Sequence, residues 1–299
     1  MMQTVSLIGV GGFVGSRLFA TLGRALPSRG DYLITGTHFS RPSAFGGTTH
    51  LDLTKPDCLR DYVLGHRPDV LIMVAGSKDV SRCEQDPNLA YQLNIGPVEV
   101  LCDCIANNRL NTRLLYLSSD YVFDGLVGGY RAGDPPSPDT NYGRSKAAAE
   151  RRLLSGDVDG VVVRTAALMG YHGGFLGWLL NELQSSDSLA LLDNSFFSPT
   201  PVELLADCLV EIIVGDMATS NRIFQACGPI RMSRYEFGVQ VSEILVELGM
   251  TGAGCRLERS FLPRLRDLSL VPNVFPFDGD GGVEMLKAYL HSELALCTG

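Results

Sequence analysis

Short apolar runs alternate with stretches of helical periodicity over the first half of the chain, and this alternation limits the folds that it can form. Runs of this length are typical of strands that are buried on both faces of a sheet. They comprise residues 5–10, 32–37, 70–75, 113–118 and 161–165, and helical stretches at residues 13–26, 58–64, 88–107 and 143–154 lie between them. Because strands that alternate with helices build parallel sheets, the sequence predicts an α/β fold with a Rossmann-type, doubly wound parallel sheet.

The alternation weakens after residue 170. The later pattern predicts helices at residues 175–183, from 200 onward and at 233–248, with short strands at 189–192 and 222–227. We therefore expect residues 1–170 to form the Rossmann domain, with residues 199–228 returning to it. Residues 171–198 and 229–299 are expected to form a smaller α/β cap that binds the substrate.

Composition argues against several classes of protein. A net charge of −8, with no basic stripe, argues against a nucleic-acid partner. The chain has no run of 18 apolar residues and no basic amino-terminal region, so we expect no membrane span, no signal peptide and a cytoplasmic location. The eight cysteines are scattered along the chain. Cys102 and Cys104 have no further His or Cys partner nearby, so we interpret these two as core thiols and expect no metal site.

A glycine-rich loop follows the first predicted strand and opens the first predicted helix. Gly9, Gly12 and Gly15 are spaced three apart, and Phe13 and Val14 begin the helix. Glycines let backbone N–H groups approach a pyrophosphate, and a helix amino terminus favours an anion. The same pattern also arises by chance or as a structural turn, so it indicates a dinucleotide only together with other motifs.

The residues after the second strand indicate which dinucleotide binds. NAD-binding folds usually carry an acid there that holds the ribose 2′-hydroxyl, and residues 32–51 contain none. His38, Ser40 and Arg41 instead offer donors suited to a 2′-phosphate. We therefore predict NADP (as NADPH) as the cofactor. The alternative is that Arg41 is a solvated loop residue with no role in binding.

Tyr142 and Lys146 lie four residues apart, which places them on one face of the predicted helix. The chain has only four lysines against 21 arginines. An ammonium one turn from a phenol stabilises the phenolate, which would lower the tyrosine pKa and allow proton exchange with a carbonyl or alcohol. The alternative is that the two residues form a pair on the helix surface with no catalytic role.

Two serines lie at the carboxyl end of the fourth predicted strand, residues 113–118. Ser118 and Ser119 begin the stretch SSDYVFDG, and ligands of open α/β sheets bind outside the carboxyl ends of the strands. A hydroxyl there could hold a substrate carbonyl oxygen, although serines at strand ends are commonly turn formers.

These motifs together carry a family resemblance over most of the chain. The extended short-chain dehydrogenases/reductases, and more narrowly the dTDP-4-dehydrorhamnose reductase family, have motifs similar to GVGGFVG, SSDYVFDG and NYGRSK in this order and spacing. Residues 79–94, 198–209 and 234–245 resemble further stretches of that family.

The resemblance implies roles for individual residues. It implies that Ser119, Tyr142 and Lys146 are catalytic and that Asn94 supports the geometry of the site. The remaining implied contacts are to the cofactor, by Asp52, Leu53, Val74, Ala75 and Gly76, and to the substrate, by Asp120 and Tyr121.

The sequence departs from the family at two positions that concern the substrate. Ala167 lies where the family usually has a tryptophan, and Trp178, the only tryptophan, is expected in the core. Lys78 lies where small or hydroxyl side chains are usual. We predict that Lys78 meets an anionic group of the substrate; the alternative is a surface pair with Asp79.

The resulting hypothesis is an NADPH-dependent ketoreductase, an NAD(P)-dependent oxidoreductase that reduces a keto group of a nucleotide-linked deoxysugar or a similar polar ketone. The alternative is a non-catalytic NADP-binding subunit that resembles the regulatory subunit of methionine adenosyltransferase. An epimerase with bound NAD would need the acid that residues 32–51 lack. A homodimer is left open, and neither nucleic acid nor a membrane is expected as a partner.

Overall fold

The computed structural model describes residues 2–41, 46–156, 158–171, 173–215, 222–250, 254–275 and 279–295. The first six strands are β1 (Gln3–Ile8), β2 (Tyr32–His38), β3 (Thr48–His50), β4 (Val70–Met73), β5 (Arg113–Ser119) and β6 (Gly160–Thr165). The later strands are β7 (Leu168–Met169), β8 (Ser188–Leu192), β9 (Ser195–Phe197), β10 (Thr200–Pro201), β11 (Ile223–Gln225), β12 (Met232–Ser233), β13 (Arg256–Ser260) and β14 (Arg266–Asp267).

A seven-stranded sheet with the order β11-β6-β5-β4-β1-β2-β3 forms the centre of the fold. The pairings of β1 with β2 and β4, of β2 with β3 and of β4 with β5 are all parallel. The order reverses between β1 and β4, which is the switch point where doubly wound sheets bind ligands. The predicted α/β fold is therefore confirmed, and β3 is an edge strand that the sequence analysis missed.

Ten helices occur in the described part of the chain. They are α1 (Phe13–Ala25), α2 (Pro56–His66), α3 (Val80–Gln85), α4 (Pro87–Ala90), α5 (Gly96–Asn107), α6 (Asn141–Leu154), α7 (Gly174–Ser185), α8 (Val202–Val214), α9 (Arg234–Glu247) and α10 (Gly279–Ala295). None of these helices is both long and apolar enough to cross a membrane. The helix predicted at 88–107 is interrupted by a π-helical turn at Tyr91–Ile95.

The chain divides into two compact units. The first unit comprises residues 1–124, 135–164 and 205–224, and the second comprises 125–134, 165–204 and 225–299. Relative to the predicted domains, residues 125–134, 165–170, 199–204 and 225–228 belong to the second unit instead of the first. The assignment of cofactor to one domain and substrate to the other stays a prediction.

The second unit contains its own apolar core, to which α7, α9 and α10 contribute. A capping box formed by Ser233 and Glu236 begins α9, and β8 pairs in parallel with β13. The predicted burial of Trp178 is wrong: the side chain is 44% exposed and stacks on Phe175, because α7 turns its opposite, leucine-rich face to the core.

Within the first unit, Arg222 fixes the carboxyl end of α6. Its guanidinium donates to the carbonyl oxygens of Leu153 (3.2 Å), Leu154 (3.1 Å), Val158 (3.1 Å) and Gly160 (2.8 Å). The last carbonyls of a helix have no partner within the helix, so a cation placed there satisfies them and complements the helix dipole.

We predict that Arg222→Met lowers the free energy of unfolding by about 3 kcal/mol, because several charge-assisted hydrogen bonds are lost together. Chemical denaturation measures this change. Arg60→Met is the matched control: it removes an exposed arginine that pairs with Asp57, and it should cost at most about 1 kcal/mol. Equal costs for the two variants would contradict the anchoring role of Arg222.

Candidate active site

The glycine loop after β1 forms an open cradle at the amino end of α1. Gly9 has φ +108°, and a Cβ there would lie 2.6 Å from the Cβ of Ala75. A Cβ at Gly15 would lie 2.0 Å from the carbonyl oxygen of Gly9, so glycine lets the helix pack against the loop. At Gly12 no described atom lies within 4 Å of a Cβ, and no side chain caps the helix.

These features fit a dinucleotide pyrophosphate. The first turn of α1, which contains Phe13 and Val14, holds no acid, so its N–H groups are available to an anion. The N–H groups of Val74 and Ala75 bind the carbonyl oxygen of Ile8 at 3.1 and 2.9 Å, which holds the ends of β1 and β4 together beneath the cradle.

The residues predicted to bind a 2′-phosphate lie beside this loop. A Cβ at Gly11 would lie 2.7 Å from the carbonyl oxygen of Arg41, so the backbone of Arg41 runs against the glycine loop. Ser40 and Arg41 are exposed, whereas His38 is half-buried and its Nδ1 lies 3.0 Å from Thr48 Oγ1. A phosphate beside the loop would therefore find the arginine side chain accessible.

Asp52 and Leu53 follow β3 in the same unit. The Asp52 carboxylate accepts hydrogen bonds from Thr54 N (3.0 Å) and Oγ1 (2.7 Å), and these bonds lower the pKa of Asp52. Leu53 packs against the apolar core of the unit. Asp52 is thus held as a carboxylate by its own turn.

The end of β5 brings the predicted catalytic side chains together. Lys146 Nζ donates to the carbonyl oxygen of Leu117 at 3.0 Å and lies 6.0 Å from the centre of the Tyr142 ring. The Ser119 hydroxyl donates to Asp120 Oδ1 at 2.7 Å and lies close enough to the Tyr142 phenol to act on its pKa. Thr140 caps α6 by accepting from the N–H of Gly143 at 3.0 Å.

Burial has the largest effect on the pKa values of Tyr142 and Lys146. It raises the pKa of Tyr142, and the neighbouring Ser119 hydroxyl only partly opposes it. Burial also lowers the pKa of Lys146 to about 8, with Glu150 acting in the opposite direction. The sequence argument expects Lys146 to lower the pKa of Tyr142, so the net direction in the structure is opposite to that expectation.

Asn94 joins three elements around this group from the π-helical turn. Its Nδ2 donates to Ser145 Oγ at 2.9 Å, and its Oδ1 accepts from the N–H of Ser77 at 2.8 Å. A Cβ at Gly76 would lie 2.6 Å from the same Oδ1. Asn94 therefore ties the loop after β4 to α6, and its implied support of the catalytic geometry stays a prediction.

The structure adds residues that the sequence analysis missed. Tyr116 lies beneath Lys146, with Nζ 4.8 Å from the ring centre. Ser145 Oγ donates to the carbonyl oxygen of Tyr142 at 2.7 Å, and Arg164 pairs with Glu150 at 2.8 Å. Glu150 follows Lys146 by four residues, so helical spacing could have identified it.

The residues predicted to meet the substrate fall into both units. Asp120 is buried, Tyr121 is half-buried with its ring edge-on to Tyr142 at 5.5 Å, and Lys78 is exposed at the carboxyl side of β4. Asp79 caps α3 by accepting from Arg82 N at 2.9 Å. Ala167 lies in the second unit, half-buried against its apolar core.

Comparisons with known proteins agree with this arrangement. The family described as the RmlD substrate binding domain matches residues 2–253. A dTDP-4-dehydrorhamnose reductase from Aggregatibacter actinomycetemcomitans is 29% identical over 246 residues, which cover 80% of this chain and 78% of that protein.

Solved structures show the same fold. A dTDP-4-dehydrorhamnose reductase from Clostridium acetobutylicum superposes with a TM-score of 0.80 at 20% identity, covering 99% of this chain and 100% of that one. One from Bacillus anthracis in complex with NADP has a TM-score of 0.77 at 20% identity and covers 99% of both chains. The chain therefore belongs to the RmlD substrate-binding domain family and has the fold of the extended short-chain dehydrogenases/reductases.

Proposed function

We propose that the protein is an NADPH-dependent ketoreductase that reduces a keto group of a nucleotide-linked deoxysugar. The observation that carries the proposal is the meeting of Ser119, Tyr142 and Lys146 at the carboxyl end of β5. That edge of the sheet also holds the glycine loop, where the open cradle fits a pyrophosphate. Membership of the family and the NADP-bound relative support the cofactor and the class of reaction.

NADPH, when bound, would supply the hydride for the carbonyl carbon. Ser119 and Tyr142 would hydrogen-bond the carbonyl oxygen, and their donors stabilise the negative charge that develops there. Tyr142 would give its phenolic proton to the resulting alkoxide. The phenol is protonated at neutral pH and so carries the proton to be donated, and although burial raises its pKa, the ammonium of Lys146 would make the resulting phenolate easier to form.

Lys146 has two tasks in this proposal. As an ammonium it stabilises the phenolate that Tyr142 becomes after donation, and it would also hold the ribose of the cofactor. Its pKa of about 8 means that the charge is present at neutral pH and is lost as the pH rises through that value. The carbonyl oxygen of Leu117 keeps the ammonium on the Tyr142 side of β5.

The substrate class rests on the relatives and on the residues at the carboxyl edge of the sheet. The relatives carry names of reductases that act on a dTDP-linked 4-dehydrosugar. Lys78 is an exposed cation at that edge, suited to a diphosphate or carboxylate. In the second unit, Ala167 is a smaller side chain than the tryptophan usual in the family. We propose a nucleotide-linked ketone with an anionic group within reach of Lys78.

The first prediction concerns the cofactor. NADPH should bind more tightly than NADH, and Arg41→Ala should weaken NADPH about 10- to 100-fold while leaving NADH unchanged, because only NADPH carries a 2′-phosphate. Fluorescence titration measures both affinities. Arg29→Ala is the control, since Arg29 pairs with Glu211 on the surface. Equal affinities for the two cofactors in the unmutated protein would contradict this assignment.

A second prediction concerns proton transfer. Tyr142→Phe keeps the ring and removes the proton, so turnover of a keto-sugar nucleotide should fall at least about 100-fold while NADPH binding survives. Lys146→Arg should impair both. Tyr91→Phe, which removes a half-exposed phenol bonded to Glu99, is the control. Unchanged turnover in Tyr142→Phe would exclude the proposed role and favour a non-catalytic NADP-binding subunit.

A third prediction concerns Lys78. Lys78→Met should raise KM for the substrate about tenfold or more through loss of a charge-assisted contact, with NADPH affinity unchanged. It should also flatten the salt dependence of kcat/KM, because the attracting charge is gone. The control is Lys287→Met, which removes an exposed lysine near Glu284 in α10. If both variants keep the KM and salt response of the unmutated enzyme, Lys78 is a surface residue.

A further inference from the structure

A buried ion pair lies directly behind the candidate catalytic group in the first unit. Arg164 and Glu150 are 1% and 2% exposed, and the guanidinium donates from Nε to Glu150 Oε1 at 3.0 Å and from its terminal nitrogen to Oε2 at 2.8 Å. The guanidinium carbon also lies 5.1 Å from the centre of the Phe123 ring. This two-pronged geometry fixes the orientation of the carboxylate.

Glu150 is bonded to β5 as well as to β6. The Ser118 hydroxyl donates to Glu150 Oε1 at 2.6 Å, and the adjacent Leu117 carbonyl accepts from Lys146 Nζ at 3.0 Å. The hydroxyl of the next residue, Ser119, lies close enough to the phenol of Tyr142 to act on its pKa. Three consecutive residues of β5 therefore face three side chains of α6 that are spaced four apart, and two of them, Leu117 and Ser118, hydrogen-bond Lys146 and Glu150.

The charges around Lys146 come from few groups. In the described part of the first unit the buried charged side chains are Asp120, Lys146, Glu150 and Arg164, two of each sign. The other titratable groups that face Lys146 are the Cys83 thiol on α3, the Tyr116 phenol on β5 and the Tyr142 phenol on its own helix. Among these, Glu150 is the carboxylate whose charge acts most strongly on Lys146.

We propose that Glu150, oriented by Arg164, is a positioning residue of the ketoreductase: it holds the end of β5 through Ser118 and keeps Lys146 as an ammonium. The inference rests on the proposed function, in which that ammonium stabilises the phenolate of Tyr142. Glu150 does not touch the reacting atoms, so its effect reaches the reaction through Lys146 and β5.

The test uses NMR to titrate Lys146 in the full chain without substrate or cofactor. Lysine labelled with ¹³C at Cε gives few signals, because the chain has only four lysines, and the spectrum of Lys146→Met identifies the signal of Lys146. The variants are Glu150→Gln, the double variant Glu150→Gln with Arg164→Met, and Asp103→Asn. The last is the control, since it breaks the ion pair of the exposed Asp103 in α5 with Arg152 in α6, the helix that carries Lys146.

Glu150→Gln removes the negative charge that favours the ammonium, so it should lower the pKa of Lys146 by about one pH unit or more. The double variant leaves no buried guanidinium unpaired, so it should also lower the pKa of Lys146, but by a smaller amount. Asp103→Asn should leave it unchanged. If Glu150→Gln does not fold, the double variant alone decides the outcome.

The pH profile of kcat/KM gives the second readout. In Glu150→Gln the pH at which kcat/KM falls on the alkaline side should shift downward together with the pKa of Lys146. A purely structural defect would instead lower kcat/KM at every pH without shifting that fall. A Lys146 pKa that stays unchanged in both the single and the double variant overturns the inference. If the protein reduces no ketone at all, the proposed function fails, and the NMR titration still decides whether Glu150 controls Lys146.

Discussion

The close contact between α6 and the end of β5 is the constraint on which the site depends. A Cβ at Gly143 would lie 2.0 Å from the carbonyl oxygen of Tyr121, so only glycine lets the first turn of α6 lie directly against the turn after β5. This approach brings Tyr142 to the hydroxyl of Ser119 and Lys146 to the carbonyl of Leu117. Thr140 and Arg222 satisfy the two ends of the same helix.

Burial gives this contact its chemical character. In water a phenol and an ammonium titrate near 10 and are both protonated at neutral pH. Inside the first unit burial raises the pKa of Tyr142 and lowers that of Lys146 to about 8, because it disfavours the charged form of each group. The site therefore holds a proton on the phenol, and the carboxylate of Glu150 supports the neighbouring ammonium. Such an arrangement keeps on the tyrosine the proton that a carbonyl reduction would need.

The elements that could be predicted from the sequence are those with a strong local pattern. The buried strands β1, β4 and β5 and the helix α6 follow from apolar runs and helical spacing, and so does the pairing of Tyr142 with Lys146 on one face. The short edge strand β3 and the polar, exposed strand β13 carry no such pattern, so they escaped the analysis. The π-helical turn at Tyr91–Ile95 also escaped, because the helical pattern of the sequence runs through it without a break from residue 88 to 107.

The central claim is that the protein transfers hydride from NADPH to a keto carbon of a nucleotide-linked sugar. The most direct measurement supplies NADPH deuterated at the transferring position of the nicotinamide together with dTDP-4-dehydrorhamnose, and follows the sugar nucleotide by mass spectrometry. The account predicts a reduced product that carries one deuterium on the carbon that was the ketone. A substrate that is returned unchanged, across a panel of such keto-sugar nucleotides, or a reduced product without deuterium would contradict it.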